Sequence, residues 1–353
     1  MQASSLSLAM MAHAVFRAAS LNCLADRALW NQGHVPWFDS TSILPYNETM
    51  KAAALRLSLE ETLLERQLAE AGWSCGPWSP QPALEPTCLA LLALRSDSAP
   101  ARTRGLQFLL RTQNPNGSWP AFSGDDQEGC GLTALAVIVL NNYGEVAPHA
   151  VRGLRWLLSS KGKESHWLWR WKFKTSDTHA RFDPNKFGWP WMPDTCSWVI
   201  PTAFAVIALK QSLRCWKTDQ VRFRIQRGVE MLLDRVCPGG GWNAGNGVVY
   251  GAPLAPHIDA TAIALLALRG ERTSGTMGAS LDWLERRARI CSAPWSLAWS
   301  ILAFEAHARP IGELLGRLAG LEDRYRVQNS ATLAAVILAC DCQVRGNVFK
   351  VPS

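Results

Sequence analysis

The sequence predicts an all-α protein built as a closed ring of inner and outer helices. Four segments share a loop rich in Gly, Pro and Trp that leads into an apolar, Ala-rich helix. They cover residues 72–94, 117–140, 188–209 and 240–268. Two fainter copies follow at 293–304 and 329–339. A helix that is apolar nearly all round has to be packed on several sides by other helices, so these segments are predicted to form an inner layer.

Helices with charged faces alternate with the apolar ones. They are expected at 102–113, 147–162, 221–236 and 280–288. In the first, Leu106, Leu109 and Leu110 recur at the spacing of one helix face, and arginines occupy the rest. A straight array of such pairs would expose the second face of every inner helix. Closure into a ring of two concentric layers buries it.

The repeats also suggest how the chain is organised. Each of the four clear copies has a threonine near the start of its apolar helix, and these are Thr87, Thr133, Thr202 and Thr261. The same residue at the same place indicates that it anchors the inner helix. We expect residues 1–50 to form an irregular or helical extension and residues 51–345 to form the ring. A Trp-rich insertion at 163–192 lengthens the third copy.

Composition limits the classes of partner. Apolar residues make up 48% of the chain and charged residues 18%, which suits one large core. The net charge of +7 is spread along the chain without a basic run. It indicates an ordinary basic surface or, alternatively, an anionic partner such as a diphosphate or a membrane surface. No nucleic-acid-binding motif is present, so nucleic acid is not expected as a partner.

The cysteines and the N-terminus bear on location. The 10 cysteines are scattered and form no CxxC pair, which favours a reducing cytoplasm over a disulfide framework. The first 20 residues lack the basic region of a signal peptide. We expect a cytoplasmic protein that is either free or peripheral to a membrane.

One stretch carries a family resemblance. Residues 104–119, RGLQFLLRTQNPNGSW, resemble the QW repeat of squalene and oxidosqualene cyclases. The matching positions are Arg104, Gly105, Phe108, Gln113, Gly117 and Trp119. The resemblance covers roughly residues 55–340 and implies the α/α toroid of terpenoid cyclases and protein prenyltransferases. It also implies a ligand that is an isoprenoid or another hydrophobic small molecule.

The segment His257-Ile258-Asp259-Ala260-Thr261 resembles the acidic motif of class II terpene cyclases. The resemblance places Asp259 at the position of the acid that protonates an alkene or epoxide, and His257 at that of the first aspartate. A carboxylic acid with this task needs neighbouring donors that stabilise its conjugate base. The alternative is that Asp259 only caps its helix.

Two sets of residues suggest metals. Asp194 and Cys196 resemble the first two zinc ligands of protein prenyltransferase β subunits, and His257 lies three residues from the place of the third. Zinc is therefore the alternative to an enzyme without a cofactor. Asp125 and Asp126 suit Mg²⁺ with a diphosphate less well, because no DDxxD pattern occurs; the alternative is a solvated loop.

Aromatic residues indicate a cavity at the end of the ring where the inner helices begin. The candidates for its lining are Trp189, Trp191, Trp198, Trp242 and Tyr250. Aromatic faces stabilise a carbocation. The Trp-rich insertion is expected to line this cavity, to act as a lid, to face a membrane or to pack on the rim.

Three functions follow. The first is a terpenoid-cyclase-like enzyme with Asp259 as its acid. The second is a zinc-dependent transferase, and the third is a toroid without activity that binds a lipid or a protein. Cyclases that this chain resembles build their cavity between two helical domains, so a second domain or subunit is an expected partner.

Overall fold

The computed structural model describes residues 46–76, 79–144, 147–272, 275–321 and 329–351. The chain divides into units of residues 1–43 and 44–353, and all described residues belong to the second. Most of the extension predicted at 1–50 therefore lies outside the described residues. The prediction of an all-α fold is confirmed, since β-structure in the described part is limited to one short hairpin and isolated bridges.

Thirteen α-helices lie in the described ranges. They are α1 Tyr46–Glu65, α2 Leu84–Ala93, α3 Ala99–Arg111, α4 Thr133–Tyr143, α5 Ala147–Ser159, α6 Trp167–Thr175, α7 Val199–Ser212, α8 Asp219–Asp234, α9 Ile258–Ala267, α10 Thr276–Ala288, α11 Pro294–Ala306, α12 Gly312–Ala319 and α13 Ser330–Asp341. Strands β1 Val248–Val249 and β2 Ala252–Pro253 pair antiparallel between α8 and α9, with Val248 opposite Pro253.

The ring is closed. Its inner layer runs α2, α4, α7, α9, α11 and α13, with each helix packed against the next, and α13 returns to α2. The outer layer consists of α3, α5, α8, α10, α12 and α1, and α1 packs outside α13. Inner helices are buried almost throughout, whereas outer helices bury one face only. The two layers predicted from the sequence are confirmed. Helix α1, the first described helix, is the outer partner of α13, the last inner helix.

A repeated tryptophan joins the layers. Trp119 is fully buried, its backbone N–H donates to the Thr133 hydroxyl (3.0 Å) and its indole N–H donates to the Leu109 carbonyl (2.7 Å). The other three copies repeat both bonds with Trp73 and Thr87, Trp189 and Thr202, and Trp242 and Thr261. The prediction that the four threonines anchor the inner helices is confirmed. Each one satisfies a loop N–H that would otherwise be buried without a partner.

Two further residues of the QW repeat hold the outer helices in place. A Cβ atom on Gly105 would lie 2.8 Å from the Trp73 ring, so only glycine lets the outer helix approach the preceding tryptophan. The Gln113 amide donates to the His149 carbonyl (3.0 Å) and accepts from Arg152 (2.6 Å). Because both partners are on α5, this glutamine ties two neighbouring outer helices together.

The C-terminal segment closes the end of the ring where the inner helices finish. Asn347 donates to the Leu302 carbonyl (2.8 Å), and Gln211 donates to the Val348 carbonyl (2.7 Å). Phe349 is fully buried, with its ring 4.9 Å from that of Trp299 and 6.3 Å from that of Phe204. The contacts of the ring thus extend to residue 351, six residues past the boundary drawn from the sequence at 345.

Candidate active site

The opposite end of the ring, where the inner helices begin, stays open; we call it the mouth. Two residues before each anchoring threonine, the chain faces the start of the next repeat. A Cβ atom on Gly131 would meet Pro201 of α7 at 2.7 Å, and Asp259 of α9 contacts Trp295 of α11. Glu85 occupies the equivalent position on α2. The repeat therefore places two carboxyl groups at the mouth.

Asp259 lies half-buried in the first turn of α9. One carboxylate oxygen accepts from the Ala260 backbone N–H (2.9 Å), and the other accepts from the Trp295 indole N–H (3.3 Å). The N-cap position itself belongs to His257, whose side chain makes no capping bond. Asp259 therefore supports its helix by one bond and has its second oxygen directed to an aromatic side chain. Donors of this kind stabilise the conjugate base of an acid.

A column of aromatic side chains leads from Asp259 into the ring. The Trp295 ring meets Trp299 edge-on with centroids 5.6 Å apart, and Trp299 lies 5.6 Å from Phe204. Trp299 is fully buried, and its indole N–H has no hydrogen-bond partner. Phe349 packs against Trp299 at the far end of the same column, with its ring centroid 4.9 Å away.

A groove of about 460 Å³ reaches His257, two residues before Asp259 in the chain. Its walls include Trp198, Asn243, Gly245, Asn246, Leu254 and His257. Trp198 is 39% exposed, and its ring lies within van der Waals distance of a Cβ atom built on Gly245. The Asn246 side-chain oxygen is buried without a partner. We call this feature the Trp198 groove; it offers one broad apolar face, one unpaired acceptor and an imidazole at the rim.

The other predicted aromatic residues do not share this place. Trp189 and Trp242, also predicted to line the cavity, are fully buried between the two helix layers. Like Trp73 and Trp119, they link an inner helix to an outer helix. Tyr250 is 76% exposed on the hairpin and stacks on His179. Trp191 is half-buried in the loop before α7.

Glu85 was missed by the sequence reasoning. Burial in the first turn of α2 raises the pKa of this carboxyl. Helices α2 and α9 are opposite members of a six-helix ring, so Glu85 and Asp259 lie across the mouth from each other. The signal that could have found it is its position two residues before Thr87, as Asp259 is two before Thr261.

Glu85→Gln is expected to stabilise the protein at high pH. Below the unfolded pKa of a glutamate, about 4.3, the carboxyl group is protonated in both states and does not destabilise the fold. When folding raises the pKa, the free energy of unfolding falls as the pH rises through the folded pKa, because the unfolded state ionises more easily. Glutamine does not ionise, so the variant escapes this loss. Urea unfolding at acidic and alkaline pH should show an advantage for the variant that grows with pH. Glu61→Gln, at an exposed site on α1, is the control, and an equal gain there would contradict the account.

The metal-binding candidates are not assembled. In the described ranges no group of three or more His, Cys, Asp or Glu side chains is placed to hold a metal ion. Asp194 is exposed, with a φ of 59°. Burial, followed by the nearby Glu164, raises the pKa of the Cys196 thiol to about 11.

One side chain of the acidic loop stabilises the loop itself. Asp126 accepts a hydrogen bond from the Gly129 backbone N–H, whereas Asp125 is exposed. The Asp126 side chain therefore shapes the turn that precedes Cys130.

No family model and no curated protein matches the sequence. Solved structures do match. A protein from Actinoplanes is 18% identical, with a TM-score of 0.52 over 78% of this chain and 80% of that chain. The type II terpene cyclase MstE from Scytonema is 14% identical, with a TM-score of 0.51 over 78% of both chains. A variant of MstE has been solved in complex with its substrate, geranylgeranyl dihydroxybenzoate.

A third similar structure comes from another class of enzyme. The GH76 α-mannanase from Bacteroides thetaiotaomicron is 8% identical, with a TM-score of 0.56 over 86% of this chain and 98% of that chain. At these identities the likeness shows the fold alone. The chain therefore has the α/α-toroid fold. Because this fold carries unrelated activities, the function has to be argued from the site.

Proposed function

We propose that the protein is an enzyme that acts on an isoprenoid or a similar apolar molecule, with Asp259 as its Brønsted acid. The observation that carries the proposal is the hydrogen bond between Asp259 and Trp295 at the head of the aromatic column. It places a carboxyl group beside an aromatic side chain at the mouth. Protonation of an alkene needs the first, and the cation that results is stabilised by the second.

The Trp198 groove supports an apolar ligand. Its lining is mostly apolar, and its broadest side chain is an indole at the surface. A prenyl chain laid along Trp198 would have one end near His257 and Asp259. We assign His257, exposed at the rim, to the exchange of protons between solvent and the acid. The lipid-like substrate bound by MstE is consistent with a ligand of this class.

The open mouth indicates that a further domain or subunit covers the site. A carbocation has to be kept from water until it is quenched, and the groove here is open to solvent along its length. A second domain or subunit that covers the mouth is therefore part of the proposal. Glu85, across the ring, would face the same enclosed space.

The test is turnover. The full-length chain is incubated with farnesol, geranylgeraniol, their diphosphates, squalene and oxidosqualene, and products are identified by mass spectrometry. Asp259→Asn keeps the hydrogen-bonding shape but has no proton to give, so we expect a loss of at least about a hundredfold. Asp282→Asn, on the exposed face of α10, is the control and should retain full activity. Turnover that is equal in the two variants would remove Asp259 from the proposed role.

A further inference from the structure

Helix α6 in the insertion is unusual because none of its side chains is buried. Trp167 is 68% exposed, Trp171 61% and Leu168 47%. The two tryptophans are four residues apart, so they lie one above the other on a single helix face, with Leu168 beside them. Large apolar side chains exposed together on one helix face mark a site of interaction.

The same segment is strongly basic. Residues 161–181 contain six basic and two acidic side chains. Of the acidic pair, Glu164 is fully buried beside Arg235, so it adds no charge to the surface. Lys163 and Lys172 stack over the Trp169 ring at 3.8 and 4.8 Å from its centroid. The Lys163 and Lys172 side chains are therefore held against α6.

The β1–β2 hairpin extends this surface. Tyr250 donates its backbone N–H to the His179 carbonyl (2.6 Å), and the two rings stack at 4.7 Å. Tyr250 is 76% exposed, and Leu254, just after the hairpin, is 42% exposed. The insertion and the hairpin both precede inner helices, so they lie at the mouth end of the ring.

We propose that α6 and the β1–β2 hairpin form a surface that binds the interface of an anionic lipid bilayer. Tryptophan and tyrosine settle at the headgroup level, and lysine and arginine attract anionic headgroups. A protein partner fits less well, because lysine is depleted in protein–protein interfaces. With nine residues, α6 is about 14 Å long, so it would lie in the plane of the interface. Every helix in the described part of the chain falls short, in length or apolar character, of what a membrane crossing needs.

Sedimentation with vesicles tests this surface. The full-length chain is mixed with phosphatidylcholine vesicles that either contain or lack phosphatidylserine. We expect binding to the anionic vesicles that weakens with added salt. Lys172→Ala with Lys174→Ala should lower the partition coefficient about tenfold or more. Trp167→Ala with Trp171→Ala should lower it at least as much, because the apolar contact is lost.

Matched controls make the result decisive. Phe223→Ala and Ile290→Ala remove equally exposed apolar side chains on other parts of the ring and should leave binding unchanged. Absence of binding to anionic vesicles, or equal loss in the controls, would overturn the proposal. A double Trp variant that binds vesicles normally but changes its oligomeric state would instead assign the face to a second copy of the chain. Vesicle binding is measured without a substrate. A negative result would therefore overturn the membrane proposal without affecting the activity proposed for Asp259.

Discussion

Phe349→Ala is expected to lower the free energy of unfolding by about 3–5 kcal/mol. Phe349 is fully buried against Trp299 and Phe204 at the base of the aromatic column. Its removal leaves a cavity beside two inner helices, and helices joined into a ring cannot close around it without shifting several neighbours. The loss should therefore lie in the upper part of the range for aromatic truncation.

Urea unfolding followed by circular dichroism gives the value. Val344→Ala, at a 74% exposed position of the same segment, should change the stability by less than about 0.5 kcal/mol. Phe223→Ala repeats the substitution at an exposed place on α8. If Phe349→Ala cost no more than these controls, the C-terminal segment would not be part of the ring, and the base of the column would be open.

Glu164→Ala is expected to cost about 3 kcal/mol, at the lower end of what breaking a buried ion pair costs. Glu164 is fully buried, its oxygens accept from the Ser197 backbone N–H (3.2 Å), and Arg235 lies 4.0 Å away. Removal leaves Arg235 with Asp234 alone (2.9 Å), which limits the loss. The change also frees a backbone N–H in the loop that leads to Trp198.

Two measurements separate this effect from general destabilisation. Hydrogen exchange should speed up between residues 163 and 198 more than elsewhere, because Glu164 fixes the insertion to the loop before α7. Glu230→Ala removes a partner from the half-exposed pair with Arg227 and should cost less than about 1 kcal/mol. A uniform rise in exchange, or equal costs for both variants, would contradict the anchoring role of Glu164.

The ring was predictable because its signals are local and repeated. The threonine near the start of the inner helix and the tryptophan of the preceding loop make the same bond in all four clear copies. A pattern that recurs at a fixed place leaves little freedom in how its copies pack. The exact closure was less accessible, since the pairing of α1 with α13 joins the two ends of the described chain.

The sequence could not show which aromatic side chains are buried between the helix layers and which line the groove. Trp189 and Trp198 are nine residues apart in one Trp-rich loop, yet the first is buried in the scaffold and the second lines the groove. Glu85 escaped notice because no acidic motif surrounds it. Phe349 escaped because a single aromatic residue near the C-terminus has no periodic context.

A surface and a site at the same end of the ring suggest a common use. If α6 lies on a bilayer, the mouth faces the lipid, and an apolar ligand could pass from the membrane to the Trp198 groove without crossing water. The two proposals remain separable, because vesicle binding is measured without substrate and turnover can be measured on substrate dispersed in detergent.

The most direct test of the account is a crystal structure of the full-length Asp259→Asn variant with geranylgeraniol. The account predicts that the ligand lies in the mouth, with its chain along the Trp198 groove and an end against the Trp295 ring. A smaller pocket of about 220 Å³ at the other end of the ring, lined in part by Asn141, Gln211, Trp216 and Val348, provides the internal comparison. Ligand bound there, with the mouth left free, would contradict the claim that chemistry takes place where the inner helices begin.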